Sequence, residues 1–265
     1  MKDSLGDRMK NYYEDRVRYS LPRRTYTIIR IDGKAFHTYT RGLNSPFDDD
    51  FMNDIDETAC YLCKNAQGAK FGFVQSDEIS ILLTDFDQLT TDAWFDGNIQ
   101  KIASISASLA TAKFNQLRLL GSIHEVDGGI GSNYHADNII TEYDIEYFKL
   151  ALFDSRVFTI PSYTEVENYF IWRQQDTVRN SISSVAQSLF SHKELEGKNT
   201  TAMQEMCFQK GVNWNDYAPK YKRGRLIIKE YYEKEGANRS RWVSSESPVF
   251  TQERNILSEL IPKTD

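Results

Sequence analysis

The chain has 265 residues, of which 40% are hydrophobic and 13% aromatic, and its formal net charge is −6. This composition excludes a disordered chain, and the length is enough for one large domain or two small ones. No window holds the ~18 apolar residues of a membrane-spanning helix, the first residues lack the apolar core of a secretory signal, and three cysteines favour a reducing compartment. We therefore expect a cytoplasmic protein with no membrane partner.

Hydrophobic periodicity predicts alternating strands and helices in the first 160 residues. The predicted elements are a strand at 25–31, a helix at 48–65, strands at 70–74 and 78–84, a helix at 98–120 and a strand at 150–160. Residues 121–148 have no clear period and are predicted to be a loop or an insertion. The order β-α-β-β-α-β is that of the split βαβ, or ferredoxin-like, fold.

The remainder of the chain is predicted to be mostly helical. Helices are predicted at 163–190 and 200–209, followed by a strand near 226–229 and a polar, basic tail. The prediction is therefore an α+β protein with two parts. Residues 1–160 form a ferredoxin-like βαββαβ catalytic domain, and residues 161–265 form a helical C-terminal region.

This topology brings two acidic segments together. In the split βαβ fold the first two strands are parallel, and the third runs back between them. The end of the first strand, at Asp32-Gly33, therefore lies at the same sheet edge as the hairpin that contains Asp77 and Glu78. We expect these three carboxylates to lie close together.

Clustered carboxylates repel one another unless a cation neutralises them. Oxygen ligands suit Mg²⁺ or Mn²⁺, and two such ions about 3.5–4 Å apart can clamp both oxygens of a phosphoryl displacement. The segment Gly33–His37 would then offer N–H groups to phosphates. The alternative is that Asp32-Gly33 is only a turn, that residues 75–78 are a polar hairpin tip, and that His37 caps a local turn.

Four motifs in order carry a family resemblance, from about residue 20 to about residue 230. They are Arg30–His37 (RIDGKAFH), Gln75–Glu78 (QSDE), Asp154–Arg156 (DSR) and Tyr169–Asp176 (YFIWRQQD). Together they resemble the tRNA-His guanylyltransferase superfamily, whose enzymes add nucleotides to the 5′ end of RNA. The catalytic domain of these enzymes is similar to the palm of ordinary polymerases, which agrees with the predicted topology.

The resemblance implies a catalytic site. Asp32, Gly33 (through its carbonyl) and Asp77 would hold two Mg²⁺ ions, Glu78 would support them, and GTP and ATP would be substrates. The residues that it implies for nucleotide binding are Asp32, Gly33, Lys34, Ala35, Phe36, His37, Ser76 and Asp77.

The chain departs from the family pattern at three places. Val178–Ser181 stands where the tRNA-His enzymes have a His-x-Asn-Asn run, Ser45-Pro46 replaces a Lys-Pro pair, and Thr200 replaces a usual Glu. The first departure weakens the case for tRNA-His selectivity, and the second removes a basic contact to the triphosphate. The first two resemble the branch that restores missing 5′ nucleotides of truncated tRNAs by copying the opposite strand of the acceptor stem.

Several polar and basic residues are candidates for RNA binding. They are Arg173, Gln174, Arg179, Asn180, Lys198, Asn199, Lys222 and Arg223. The basic run 220–225, with Tyr217 and Tyr221 interleaved, is either a solvated face or a track for an RNA backbone.

The acidic net charge does not exclude RNA, because the charge is segregated. The segments 48–57, 77–96 and 125–146 hold 18 acidic residues and no basic ones, and the rest of the chain has 20 acidic against 32 basic residues. The basic remainder could hold a phosphate backbone.

The resulting hypothesis is a template-dependent 3′-5′ nucleotidyltransferase that extends the 5′ end of truncated tRNA, and the resemblance suggests a homotetramer. The alternatives are a tRNA-His guanylyltransferase proper, and another palm-type two-metal nucleotidyltransferase or cyclase. A non-catalytic RNA-binding module is disfavoured, because clustered carboxylates that face phosphates would not help a protein that only binds RNA.

Overall fold

The computed structural model describes residues 4–127 and 148–263. The strands are β1 (Tyr26–Gly33), β2 (Ala69–Gln75), β3 (Glu78–Leu83), β4 (Phe153–Ile160), β5 (Arg225–Lys234) and β6 (Ala237–Glu246). The α-helices are α1 (Ser4–Met9), α2 (Phe36–Tyr39), α3 (Asp49–Asn65), α4 (Ile99–Asp127), α5 (Tyr163–Leu189), α6 (His192–Leu195), α7 (Thr200–Gln209), α8 (Pro219–Arg223) and α9 (Arg254–Leu260). Within these residues, none of the helices is long and apolar enough to cross a membrane.

The strands form one six-stranded sheet in the order β4-β1-β3-β2-β5-β6. Strand β3 is antiparallel to both β1 and β2, so β1 and β2 are parallel to each other. The first four strands therefore have the ferredoxin-like arrangement, and the predicted fold class is confirmed. Most of the loop predicted at 121–148 lies outside the described residues, and α4 extends seven residues beyond its predicted end, to Asp127.

The C-terminal part differs from the prediction by one strand and by three short helices, α6, α8 and α9. Residues 237–246, predicted as part of a polar tail, form strand β6, which pairs with β5 from Arg225↔Glu246 to Lys234↔Ala237. Most of this hairpin is exposed, so neither strand needs the alternation of apolar residues that identifies a half-buried strand. Because β5 also pairs with β2, the sheet continues across residue 160, and the division there stays a prediction.

The two faces of the sheet carry separate cores. Ile29 and Ile31 of β1 pack in the core shared with α3 and α4, whereas Ile28 packs in the core shared with α5. Since side chains alternate along a strand, Arg30 and Asp32 lie on the face of Ile28. The period-two pattern thus directs Asp32 toward the face on which α5 packs.

Gly224 connects α8 to β5 and approaches the end of β2 closely. Its φ is +80°, and a Cβ there would lie 2.6 Å from the ring of Phe73 and 2.7 Å from the carbonyl oxygen of Val74. Gly224→Ala should therefore destabilise the protein by about 2–3 kcal/mol, through backbone strain and overpacking together.

Gly236→Ala is the matched control, because Gly236 also has a positive φ, of +72°, but nothing lies within 4 Å of its would-be Cβ. Its free energy of unfolding, measured in urea, should fall only by the smaller contribution of backbone strain. Equal losses at the two glycines would contradict the role of packing at Gly224.

Candidate active site

A cleft of about 550 Å³ opens at the sheet edge where β1 ends and the β2–β3 hairpin turns. Asp32, Asp77 and Glu78 all line it, so the meeting of these carboxylates that the topology predicts occurs in the structure. Its other walls come from the segment before α3, from α5 and from α8. They include Phe47, Asp48, Asp176, Asn180, Ser184, Lys220 and Tyr221.

Asp32 is the last β1 residue on the α5 face of the sheet. Its carboxylate side chain is 37% exposed, and its Oδ2 lies 3.8 Å from Nη2 of Arg156 on the edge strand β4. The same guanidinium lies 3.8 Å from Asp154, which is the register partner of Asp32. Asp32 therefore faces the cleft with one loosely placed counter-charge.

Asp77 lies in the turn that joins β2 to β3, at residues 75–78, which we call the Asp77 turn. Ser76 has the left-handed φ of 47°, an unfavourable conformation for a residue with a side chain. Burial raises the pKa of Asp77 to about 6, and repulsion from Asp32 and Glu78 raises it further, although a hydrogen bond from Ser76 opposes this. Asp77 is thus a half-buried carboxylate with no positively charged partner among residues 4–127 and 148–263.

Glu78, by contrast, is held by arginine. Nε and Nη2 of Arg173 donate to its two carboxylate oxygens at 2.8 Å each, and Nε of Arg30 lies 3.9 Å away. Burial raises the pKa of Glu78 and outweighs the opposing effect of the two arginines. Glu78 is therefore part of a buried ion pair in which both its oxygens are engaged.

The segment after β1 divides into packing and exposed residues. Phe36 is buried in the core, where its ring contacts those of Phe51 and Phe153, so its side chain cannot contact a nucleotide. A Cβ at Gly33 would lie 2.2 Å from the Phe36 ring. Packing of Phe36 therefore requires glycine at position 33, which is a structural reason that the sequence analysis did not identify.

Lys34, Ala35 and His37 are exposed and are not among the residues that line the cleft. The Lys34 amide donates to the Leu152 carbonyl at 2.8 Å, so the expected run of free N–H groups from Gly33 to His37 is interrupted. Ala35 has a left-handed φ of 57° and precedes α2, and an Nε2···Oγ1 contact of 3.0 Å links His37 to Thr38. The amides of Phe36 and His37 begin α2 and have no partner inside that helix.

Three of the proposed RNA contacts are corrected by the structure. Arg173, Gln174 and Lys222 are at most 8% exposed. Arg173 binds Glu78, Gln174 hydrogen-bonds residues 247–250, and Nζ of Lys222 donates to a backbone carbonyl at 2.6 Å. Buried side chains with these partners do not contact an RNA backbone, and their role is to join α5 and α8 to the body of the protein.

The other candidates for RNA contact remain accessible. Arg179 is exposed and pairs with Asp176 at 2.7 Å, and Asn180 is exposed and lines the cleft. Lys198 is exposed, Arg223 is half-buried, and Asn199 caps α7 by accepting from the Ala202 amide. A role of these five residues in RNA binding stays a prediction.

The cleft also contains Phe47, which the sequence analysis did not identify, and residues of the basic run 220–225 in contacts that it did not predict. Arg225 lies in its wall, buried, with its Nε donating to Asp56 at 2.6 Å. Phe47 stacks on Tyr221 with ring centroids 4.8 Å apart. Lys220 bonds Asp49 at 2.6 Å. Lys220, Tyr221 and Arg225 belong to the basic run with aromatics, but their pairing with α3 is decided by contacts about 170 residues apart in sequence.

The donor set bears on metal binding. In the described part of the chain, no group of three or more His, Cys, Asp or Glu side chains is arranged to hold a metal by itself. Mg²⁺ in phosphoryl-transfer sites, however, is bound by one or two carboxylates together with substrate phosphates and water. Asp32 and the unpaired Asp77 fit that pattern, because both line a cleft with room for a triphosphate.

The raised pKa of Asp77 predicts an effect on stability. Since the folded-state pKa of about 6 lies above the ordinary value near 3.9, the folded protein binds more protons between these pH values and loses stability as pH rises through them. In EDTA, Asp77→Asn should melt about 2–4 °C above the wild type at pH 7.5, allowing for solvent screening, and show little difference at pH 4. A difference that does not change with pH would contradict the shift.

The chain is similar to known proteins of one family. A family model described as tRNAHis guanylyltransferase (Thg1) matches residues 6–161. Two solved structures of bacterial tRNA(His) guanylyltransferase (Thg1)-like protein, in complex with ATP and with GTP, are 45% and 44% identical to this chain. Each match covers 97% of this chain and 99% of the other, with TM-scores of 0.77 and 0.76.

A more distant relative is the tRNA(His) guanylyltransferase of Debaryomyces hansenii, which is 25% identical over 86% of this chain and 82% of its own length. The family model covers more than half of the chain, and the bacterial structures match nearly all of it. The protein is therefore a tRNA guanylyltransferase-like nucleotidyltransferase, and it belongs to the tRNAHis guanylyltransferase (Thg1) family.

Proposed function

We propose that the protein is a template-dependent 3′-5′ nucleotidyltransferase that restores the 5′ end of truncated tRNA. The observation that carries the proposal is the convergence of Asp32 and Asp77 in one cleft of about 550 Å³. Two bacterial relatives of similar fold are described in complex with ATP and with GTP, which supports both as substrates.

The residues of the chain have separable tasks in this proposal. Asp32, Asp77 and the Gly33 carbonyl would hold two Mg²⁺ ions, which when bound would lower the pKa of the attacking 3′-hydroxyl and neutralise the triphosphate. The amides of Phe36 and His37 and the Ser76 hydroxyl would bind phosphate oxygens. Catalysis is then mainly positioning and charge stabilisation.

The proposed choice of RNA substrate is based on a stretch of helix α5. Val178–Ser181 lies there where the tRNA-His enzymes carry a His-x-Asn-Asn run, and Asn180 of this stretch lines the cleft. Without that His, we propose that pairing of the incoming nucleotide with the opposite strand, rather than recognition of tRNA-His, selects what is added.

We also propose that the protein works in the cytoplasm as a homotetramer. Residues 4–20 support an assembly, because their apolar side chains are exposed in the monomer, with Tyr13 68% and Tyr19 66% exposed. Light scattering should give four times the chain mass of 30.7 kDa. A monomeric mass at micromolar concentration would contradict this part of the proposal.

A 5′-extension assay tests the function. The substrate is a 5′-truncated, monophosphorylated tRNA incubated with Mg²⁺, ATP and GTP, with complete tRNA as the control. The truncated RNA should grow at its 5′ end, and changing the opposite template nucleotide should change the nucleotide that is added. No growth under any nucleotide mixture, or triphosphate turnover that RNA does not alter, would contradict the proposal, and the second result would favour a cyclase.

A further inference from the structure

Helix α5 holds the Asp77 turn from both ends. We propose that Arg173 and Thr177 are positioning residues that act together as a clamp and fix the carboxylate of Asp77 for catalysis. This inference rests on the proposed function of Asp77. Neither residue touches the Asp77 carboxylate in the contacts described below, so both would act through the residues that flank it.

The first contact of the clamp is the ion pair of Arg173 with Glu78. The guanidinium donates through Nε and Nη2 to the two oxygens of the carboxylate, both at 2.8 Å. Arg173 is 4% exposed and Glu78 is 9% exposed. A two-point contact between planar groups fixes orientation as well as distance, which lysine cannot reproduce.

The second contact is a hydrogen bond from the Thr177 hydroxyl to the side-chain carbonyl of Gln75. Thr177 is 6% exposed and Gln75 is 4% exposed. Gln75 and Glu78 are register partners, the last pair of the β2–β3 hairpin. Arg173 and Thr177 are four residues apart and lie on one face of the helix. Thr177 therefore contacts the residue before the two-residue connection Ser76-Asp77, and Arg173 contacts the residue after it.

The turn needs an external restraint. Ser76 has a left-handed φ of 47°, and the Asp77 carboxylate is repelled by Asp32 and Glu78. Both features favour a rearrangement that would move Asp77 out of the cleft. Contacts at Gln75 and Glu78 oppose that movement without occupying the oxygens of Asp77.

Helix α5 is itself anchored on its other side. The Gln174 side chain donates to Ser247 Oγ at 2.9 Å and to the Pro248 carbonyl at 2.6 Å, and it accepts from the Phe250 amide at 2.9 Å. The position of Asp77 in the first part of the chain therefore depends on a helix and a segment of the second part.

A clamp and a merely stabilising contact predict different kinetics. A positioning defect lowers kcat because a displacement of about 1 Å can cost about a hundredfold in rate, whereas nucleotide binding through other groups is retained. A general loss of stability lowers the fraction of active protein and does not depend on which buried hydroxyl is removed.

The test compares Thr177→Val, which removes the hydroxyl at nearly constant shape, with Thr177→Ser, which keeps it. Thr58→Val is the matched control, since Thr58 is a buried threonine on α3 whose hydroxyl bonds the Asp54 carbonyl at 2.7 Å, away from the cleft. In the 5′-extension assay, Thr177→Val should lower kcat about tenfold or more with less than threefold change in the KM for GTP. Thr177→Ser and Thr58→Val should keep kcat within about threefold of the wild type.

Amide hydrogen exchange provides a readout that needs no activity. Peptides that cover residues 75–78 should exchange at least about fivefold faster in Thr177→Val and in Arg173→Lys than in the wild type. In Thr58→Val these peptides should exchange at the wild-type rate. If Thr177→Val does not fold, Gln75→Met removes the acceptor side of the same contact.

The outcomes separate the clamp from the function. Unchanged exchange at residues 75–78 with unchanged kcat in Thr177→Val would overturn the clamp, as would a loss of kcat shared equally by Thr58→Val. A wild-type protein that extends no RNA would overturn the proposed function, while faster exchange in Thr177→Val alone would still support the structural part of the clamp.

Discussion

Asp77→Ala is expected to reduce 5′ nucleotide addition by about 10³-fold while the protein stays folded. Asp77 lines the cleft without a positively charged partner among the described residues, and loss of about 4 kcal/mol of transition-state stabilisation corresponds to that factor. The fold should survive because the side chain is half-buried in a turn and its removal relieves repulsion from Asp32 and Glu78.

The measurement is the single-turnover rate on truncated tRNA, together with the circular dichroism spectrum and the melting temperature. Asp92→Ala is the matched control, because Asp92 is an aspartate whose side chain is 80% exposed and lies outside the cleft. It should extend RNA at the wild-type rate. An Asp77→Ala protein that also does so would refute the assignment of the site.

Asp56→Ala should give the largest loss of stability, about 3–5 kcal/mol. Asp56 lies on α3 and is 9% exposed, and it joins that helix to the β5–β6 hairpin. It accepts from Nε of Arg225 and from the Ser244 hydroxyl, both at 2.6 Å. Its removal leaves a buried guanidinium without a counter-charge. One nitrogen of that group, Nη2, already has no hydrogen-bond partner in the described part of the chain.

A double-mutant cycle in urea tests this expectation. Asp56→Ala with Arg225→Met removes both charges, so the double variant should be more stable than the sum of the single losses predicts. Asp92→Ala breaks the exposed pair with Arg23, at 3.2 Å, and should lower the free energy of unfolding much less than Asp56→Ala. Additive losses at Asp56 and Arg225 would show that the buried pair is not coupled.

The ferredoxin-like core could be predicted because its signals are local. Strand β1 is rich in β-branched and aromatic residues, apolar residues recur at helical spacing in α3, and the short break between β2 and β3 indicates a hairpin. Once the order of elements is known, the topology alone brings Asp32 to the Asp77 turn. The strand β6 could not be predicted, because its side chains are mostly exposed and its pairing with β5 leaves no apolar period.

The sequence could not show which partners the polar residues on α5 contact. Arg173 and Gln174 have the composition of an RNA-binding face, but they contact residues 95 and at least 73 positions away along the chain. The packing of a helix decides whether a charged side chain on it faces the site or the solvent. Burial then distinguishes an internal ion pair from a surface contact.

Sequence by itself therefore determined the order of the ferredoxin-like elements, the edge of the sheet at which the carboxylates meet and the family to which their motifs point. The spacing of apolar residues and the residue preferences of turns act over a few positions, so they can be recognised in a single sequence. Tertiary structure alone decided that the Phe36 ring requires Gly33, that Glu78 forms an ion pair with Arg173, and that Asp77 has no cationic partner among the described residues. Those assignments depend on burial and on partners far apart in sequence, which set the charge and the position of each group.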